Sequence, residues 1–167
     1  MILKTERLTL KKVEANDAPF YFKLFNDPDF IKNINDKNLK SVEETYTFLK
    51  QTMIPKLCKN GLGFFTVYEN EKNTPIGVSS LLKREKTDYF DVGYAFLPIG
   101  RGKGYAFEAT QRIMKYTKEI LKQNKIIAFT MPQNQASKKL LTKLGFNYIG
   151  LKEIHKGNKD SLFEYTF

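Results

Sequence analysis

In the stretch RGKGYAFEA, from Arg101 to Ala109, three small residues, Gly102, Gly104 and Ala106, alternate directly after the apolar run DVGYAFLP and directly before an amphipathic run. A chain that sheds its side chains where a strand hands over to a helix can turn several backbone N–H groups toward one point, because the first helical turn leaves its donors unpaired. Such a nest binds phosphate oxygens, and small residues keep side chains from holding the anion off. The helix dipole contributes only about 0.3–1 kcal/mol per favourable charge, so affinity has to come from several donors together. Lys103 and Arg101 can add charge at the rim. A dinucleotide fingerprint would need a third glycine where Phe107 stands, and a Walker loop would need Ser or Thr where Gly104 follows Lys103. Glycines also permit tight turns, and from this stretch alone that plainer reading stays open.

Few other side chains offer chemistry. His155 is the sole histidine and falls near the C-terminal hairpin, which marks it as a surface residue. Cys58, the sole cysteine, has no partner for a disulfide and no histidine near it in sequence, so it reads as an inert thiol in a reducing cytoplasm. Asn134 and Ser137 open a helical run, where an asparagine caps well by itself and a first-turn serine commonly satisfies backbone.

The elements that must position these residues alternate in type. RLTLKKV alternates apolar and polar residues as a half-buried strand does, and NDAPFYFKLF follows as a short helix with Asn16 or Asp17 as N-cap. Ser41 and Glu44 make a capping box for a second helix whose apolar stripe reads Val42, Tyr46, Leu49, Met53 and Leu57. LGFFTVYE, PIGVSSLLK and YFDVGYAFL are three strands joined by short polar turns, hence antiparallel neighbours. After the glycines, Ala106, Ala109, Ile113, Tyr116 and Ile120 describe one buried helix face, and KIIAFTM is a buried strand parallel to the one before the helix. Pro132 stops that strand, NQASKKLLTKLGF is a helix ended by Gly145, and YIGLKEI and SLFEYTF form a hairpin. The result is an α/β chain with a mixed sheet, in the order β-α-α-β-β-β-α-β-α-β-β.

A length of 167 residues with 41% hydrophobic content fits a single domain spanning residues 1–167. No apolar run approaches the roughly 20 residues of a bilayer span, and MILKTERLTL lacks the apolar core of a signal peptide, so no membrane partner is expected. The net charge of +10 is carried mostly by dispersed lysines, with arginine only at positions 7, 84, 101 and 112. Nucleic-acid binding favours clustered, arginine-rich segments, so this pattern argues against such a partner.

At the level of motifs, the chain resembles the GNAT (GCN5-related) N-acetyltransferase family, in particular its RimJ/RimL-like branch of ribosomal-protein N-terminal acetyltransferases. RGKGYA matches the family's R/Q-x-x-G-x-G/A acetyl-CoA motif, with Arg101 first, Gly104 fourth and Ala106 sixth. TERLTLKKVEANDA resembles the branch's opening, DVGYAFLP its central strand, and the segment from Asn134 to Phe146 its second cofactor segment. The resemblance implies central strands that splay to admit the pantetheine arm of acetyl-CoA, the co-substrate, and implies no metal. It also implies that backbone groups of Phe96 and Pro98 flank the pantetheine. The N–H groups of Arg101, Gly102, Lys103, Gly104, Tyr105 and Ala106 would hold the pyrophosphate, with Asn134 and Ser137 on the other wall.

The implied reaction moves acetyl from acetyl-CoA to a primary amine by direct attack in a ternary complex. Near pH 7.4 an α-amine of pKa about 7.7–8.0 costs under about 1 kcal/mol to deprotonate and a lysine of about 10.4 costs about 4. With the branch as guide, a protein or peptide N-terminus is the expected acceptor, ahead of a polyamine, an amino acid or an antibiotic amine, and a non-catalytic acyl-CoA-binding sensor is the competing class. The resemblance gives Asp91 the role of base, since the family often carries an acidic residue beside the GY pair. On an alternating strand, burial of Asp91 predicts exposure of Val92, and the reverse. Many relatives donate a proton from a tyrosine seven residues after the asparagine, where this chain has Leu141, so the branch's substitute serine would be Ser137. Acceptor contacts are expected in FNDPDFIKNINDKNLKSVEE, whose Asp27, Asp29, Glu43 and Glu44 can attract a cation. A monomer or homodimer is expected.

Overall fold

Alternating side chains on the central strands create two apolar sheet faces, and helices cover both. The structure, a computed structural model, describes residues 1–167. Its strands are β1 (Ile2–Lys4), β2 (Leu8–Lys12), β3 (Gly63–Glu69), β4 (Thr74–Lys83), β5 (Phe90–Phe96), β6 (Lys125–Thr130), β7 (Asn147–His155) and β8 (Asn158–Thr166). They form one mixed sheet in the order β1-β2-β3-β4-β5-β6-β8-β7, in which only β5 and β6 are parallel neighbours. The helices are α1 (Ala18–Phe25), α2 (Pro28–Asn33), α3 (Val42–Phe48), α4 (Ile54–Leu57), α5 (Tyr105–Glu119) and α6 (Gln135–Lys143). A π-helical turn over Leu49–Met53 joins α3 to α4.

Beneath α5 and α6 lies a core that includes Leu81, Val92, Phe96, Ile113, Ile126 and Leu141. On the opposite face, Val78 packs with Tyr21, Leu24, Leu49 and Met53 from the N-terminal helices. Each such side chain contributes about 1.5–3 kcal/mol when fully buried, and both faces must be covered to collect it.

The mixed α/β class agrees with the sequence reading, with two short additions. β1 pairs antiparallel with β2, Ile2 opposite Lys11, and three residues are too few to show a period. α2 rests on local signals, Asp27 accepting from the Phe30 amide at 3.3 Å and Pro28 at the first helical position. Two expected stripes are revised. Thr45, Leu49 and Met53 are the buried positions on the second helix, while Val42, Tyr46 and Leu57 are exposed; the buried face runs in steps of four from Thr45, which hides its hydroxyl on the Ser41 carbonyl. Ile120 is exposed because α5 ends at Glu119 and the chain turns away through Lys122 at φ 54°.

What positions the site is the seam between β5 and β6. They pair only through Phe90 with Ile126 and Asp91 with Ile127. Beyond that point β5 stays with β4, Phe96 opposite Gly77, and β6 stays with β8, Thr130 opposite Ser161. The facing edges therefore separate, and a cleft opens between the strands toward their C-terminal ends.

Candidate active site

β5 leads through a short 3-10 turn, Pro98–Gly100, into the glycine segment and then α5. Gly102 and Gly104 sit at φ 72° and 77°, left-handed conformations that cost other residues about 1–2 kcal/mol. A methyl group added at Gly102 would project into open space, so the loop's shape, not crowding, asks for glycine there. The N–H groups of Gly102, Lys103, Gly104, Tyr105, Ala106 and Phe107 donate to nothing within the protein. They border a pocket of ≈ 250 Å³ whose lining includes Phe96, Gly100, Ala106, Leu140 and Lys143. A loop of bare amides with two left-handed glycines fits a pyrophosphate group, and side chains in its place would fill it.

Arg7 holds this loop from behind. Its Nη1 donates to the Lys103 carbonyl at 2.9 Å, its Nε donates to Glu108 Oε2 at 2.7 Å, and its guanidinium lies 4.6 Å from the centre of the Tyr105 ring. Tyr105 turns its side chain inward, donating its hydroxyl to the buried Glu69 Oε1 at 2.7 Å.

Arg101 departs from the expected rim charge. Its guanidinium turns to α2, pairing with Asp27 at 2.5 Å and Asp29 at 2.8 Å, and its Nε donates to the Phe96 carbonyl at 2.9 Å. Its own N–H donates to the Pro98 carbonyl at 3.2 Å, so Arg101 does not join the free amides, and the Phe96 and Pro98 carbonyls each already accept one internal bond. The reason is electrostatic: Asp27 is buried, and a buried carboxylate requires a partner. For the same reason Asp27 and Asp29 are not free to attract a cation, and Glu44 accepts from the Lys40 amide at 2.7 Å.

α6 forms the other wall. Asn134 Oδ1 accepts from the Ser137 amide at 3.1 Å, an N-cap. The Ser137 hydroxyl meets the Tyr94 hydroxyl of β5 at 2.8 Å. Leu141 is buried in the core below. Tyr94 was absent from the sequence reading, although its place beside Gly93 in DVGYAFLP was visible; nothing local announces a contact with a residue 43 positions away.

Asp91 lies on the opposite face of β5, where its carboxylate pairs with Arg84 Nε. Burial pushes its pKa up to about 6, against the Arg84 charge and hydrogen bond. Next to it Gly93 keeps the surface low, since an added methyl would come within 2.7 Å of Ser80 Oγ. The expectation that only one of Asp91 and Val92 would be buried is overturned, as both are. They do face opposite ways, but the sheet is covered on both sides. Arg84, just past the end of β4, is the second neighbour that the sequence reading gave no role. Asp91 makes no hydrogen bond to Ser137 or Tyr94; His155 is exposed and Cys58 half-buried, both away from the cleft.

A split parallel pair with a loop of unpaired amides at its mouth is a site able to hold a phosphate-bearing ligand with an extended arm. The sequence matches the Acetyltransferase (GNAT) domain family over residues 7–147, and the chain belongs to that family as an acetyl-CoA-dependent N-acetyltransferase. It is 32% identical to the uncharacterized N-acetyltransferase p20 of Bacillus licheniformis, over 99% of this chain and 93% of that one. Its fold is also that of RimL, the ribosomal L7/L12 alpha-N-protein acetyltransferase solved with coenzyme A, at a TM-score of 0.83 and 15% identity over 99% and 98% of the two chains. Spermidine N-acetyltransferase from Vibrio cholerae, solved with CoA and spermine, superposes with a TM-score of 0.78 at 20% identity over 97% and 96%. No helix is long and apolar enough to cross a membrane.

Proposed function

We propose that the protein acetylates the free α-amine of a protein or peptide, the amine attacking directly within a ternary complex. Asp91 carries this reading, because a buried carboxylate with a pKa near 6 stands on the face of β5 turned from the nucleotide loop. An α-amine of about 8 is nearer its neutral form at about pH 7.4 than a lysine near 10.4, so a carboxylate base has less to do at an α-amine. Polyamine binding has less support, since Asp27 and Asp29 are engaged by Arg101. Lys37 adds to this: its pKa is lowered first by burial and then by the charge of Arg84, which puts a second cation beside the Asp91 partner.

Acetyl-CoA supplies the acyl group already activated as a thioester. The amides of Gly102, Lys103, Gly104, Tyr105 and Ala106 hold its pyrophosphate, with Lys103 adding charge. The unpaired edge of β5 up to Phe96 and Pro98 lines one side of the pantetheine path, and Asn134 and Ser137 line the other. Asp91 takes the proton from the amine nitrogen, and Ser137 Oγ donates a hydrogen bond to the departing sulfur. The lone thiol of Cys58 suits a cytoplasmic setting.

The test offers acetyl-CoA with three acceptors: a peptide bearing a free α-amine and an internal lysine, the same peptide blocked at its N-terminus, and spermidine. Thiol release and mass spectrometry should place acetyl on the α-amine, with the other two at least ~10-fold slower, as expected for a base mismatched to their amines. Faster turnover of spermidine would overturn the reading.

A further inference from the structure

Tyr94 and Ser137 meet across the cleft, joining β5 to the first turn of α6. The Tyr94 hydroxyl lies 2.8 Å from Ser137 Oγ, a contact in which either oxygen can donate, and it also reaches the Ser137 carbonyl as a donor at 3.2 Å; with one hydrogen to give, the phenol favours the shorter contact. The Ser137 backbone is already fixed, its amide donating to Asn134 Oδ1, so the open variable is the direction of its hydroxyl hydrogen. Left to itself, a serine hydroxyl bonds to nearby backbone groups or to water. One turn further along α6, Leu141 is buried and apolar, so α6 supplies no hydroxyl of its own there.

We propose that Tyr94 is a positioning residue for acetyl transfer: its phenol donates to Ser137 Oγ and so directs the serine's own hydrogen into the cleft, toward the departing sulfur. The inference rests on the reading of Ser137 given above. Burial, opposed by the Ser137 hydrogen bond, pushes the Tyr94 phenol up to about 12. Against a thiol near 8.5, full proton transfer from that phenol would be more than about a thousandfold uphill. Tyr94 and Ser137 therefore keep their protons and act by donating hydrogen bonds. The C–S bond breaks with its electron pair going to sulfur, the amine nitrogen forms the C–N bond, and the proton it sheds passes through Asp91 to solvent, from which the thiolate is later protonated.

The test measures CoA affinity against pH by calorimetry, with desulfo-CoA as control, in the wild type, Tyr94→Phe, Ser137→Ala and the double variant. Donors aimed at the sulfur favour the thiolate, so wild-type affinity for CoA should rise relative to desulfo-CoA as pH increases toward about 8.5. Each single variant should lose that rise while keeping desulfo-CoA affinity within about twofold, and the double variant should lose nothing more. In turnover, Tyr94→Phe should lower kcat about tenfold or more with KM little changed, and should have no effect when Ser137 is already alanine. A full Tyr94→Phe effect in the Ser137→Ala background would overturn the inference, as would Tyr94→Phe behaving like wild type while Ser137→Ala does not. Wild-type behaviour of Ser137→Ala would overturn the donor role and this inference together, leaving acetyl transfer to an amine untouched.

Discussion

Asp91 and Tyr94, three positions apart on β5, leave the strand on opposite faces, Asp91 toward Arg84 and Tyr94 toward Ser137 on α6. The group suited to take a proton and the hydroxyl pair suited to donate hydrogen bonds are thus separated by the strand itself. Asp91 stands at the last paired position of the β5–β6 seam, opposite Ile127, and Tyr94 stands beyond it, where the strands have separated.

The pH profile should report Asp91. A base works ionised, and its raised pKa places that ionisation at about 6, so activity is retained above that value and lost as pH falls through it. A plot of log kcat/KM against pH should steepen below about 6 by about one unit of slope in the wild type. Asp91→Asn should lack that break and lose about 10²–10⁴ in rate. Persistence of the break in Asp91→Asn would assign it to another group.

At Gly104 the conformation and the ligand make separate demands. Its φ of 77° imposes about 1–2 kcal/mol of strain on any other residue, which a domain stable by about 5–15 kcal/mol can absorb. Gly104→Glu should therefore fold, with an unchanged circular dichroism spectrum, yet bind CoA at least ~100-fold more weakly, because it puts a carboxylate beside the bare amides of an anion site. Normal CoA affinity in that variant would remove the loop from the pyrophosphate role.

Arg101 should behave as an anchor for α2. Arg101→Ala leaves Asp27 buried without its partner and should cost about 1–3 kcal/mol in chemical denaturation. If α2 meets the acceptor, as expected for its segment, KM for the amine should rise more than the Kd for CoA. An effect confined to CoA affinity would return Arg101 to the nucleotide site.

How much of this could be read from the chain depends on the range of the interaction. The glycine loop, the cap at Asn134 and the strand carrying Asp91 are local patterns, and each is where the sequence put it. The role of Arg101 was misjudged because its partners lie 72 and 74 residues away. Asp91 and Val92 escaped the alternation rule for a similar reason, since alternation says which side a residue faces and not what covers that side. The seam follows from pairing at only two residue pairs, a register that no period in the sequence records.

The most direct test of the whole account is calorimetric titration of the purified protein with acetyl-CoA, with dephospho-CoA alongside to probe the anion contacts. The account predicts saturable binding with a Kd in the micromolar range or tighter. Absence of binding up to millimolar acetyl-CoA would contradict it, leaving RGKGYAFEA as a turn and no more.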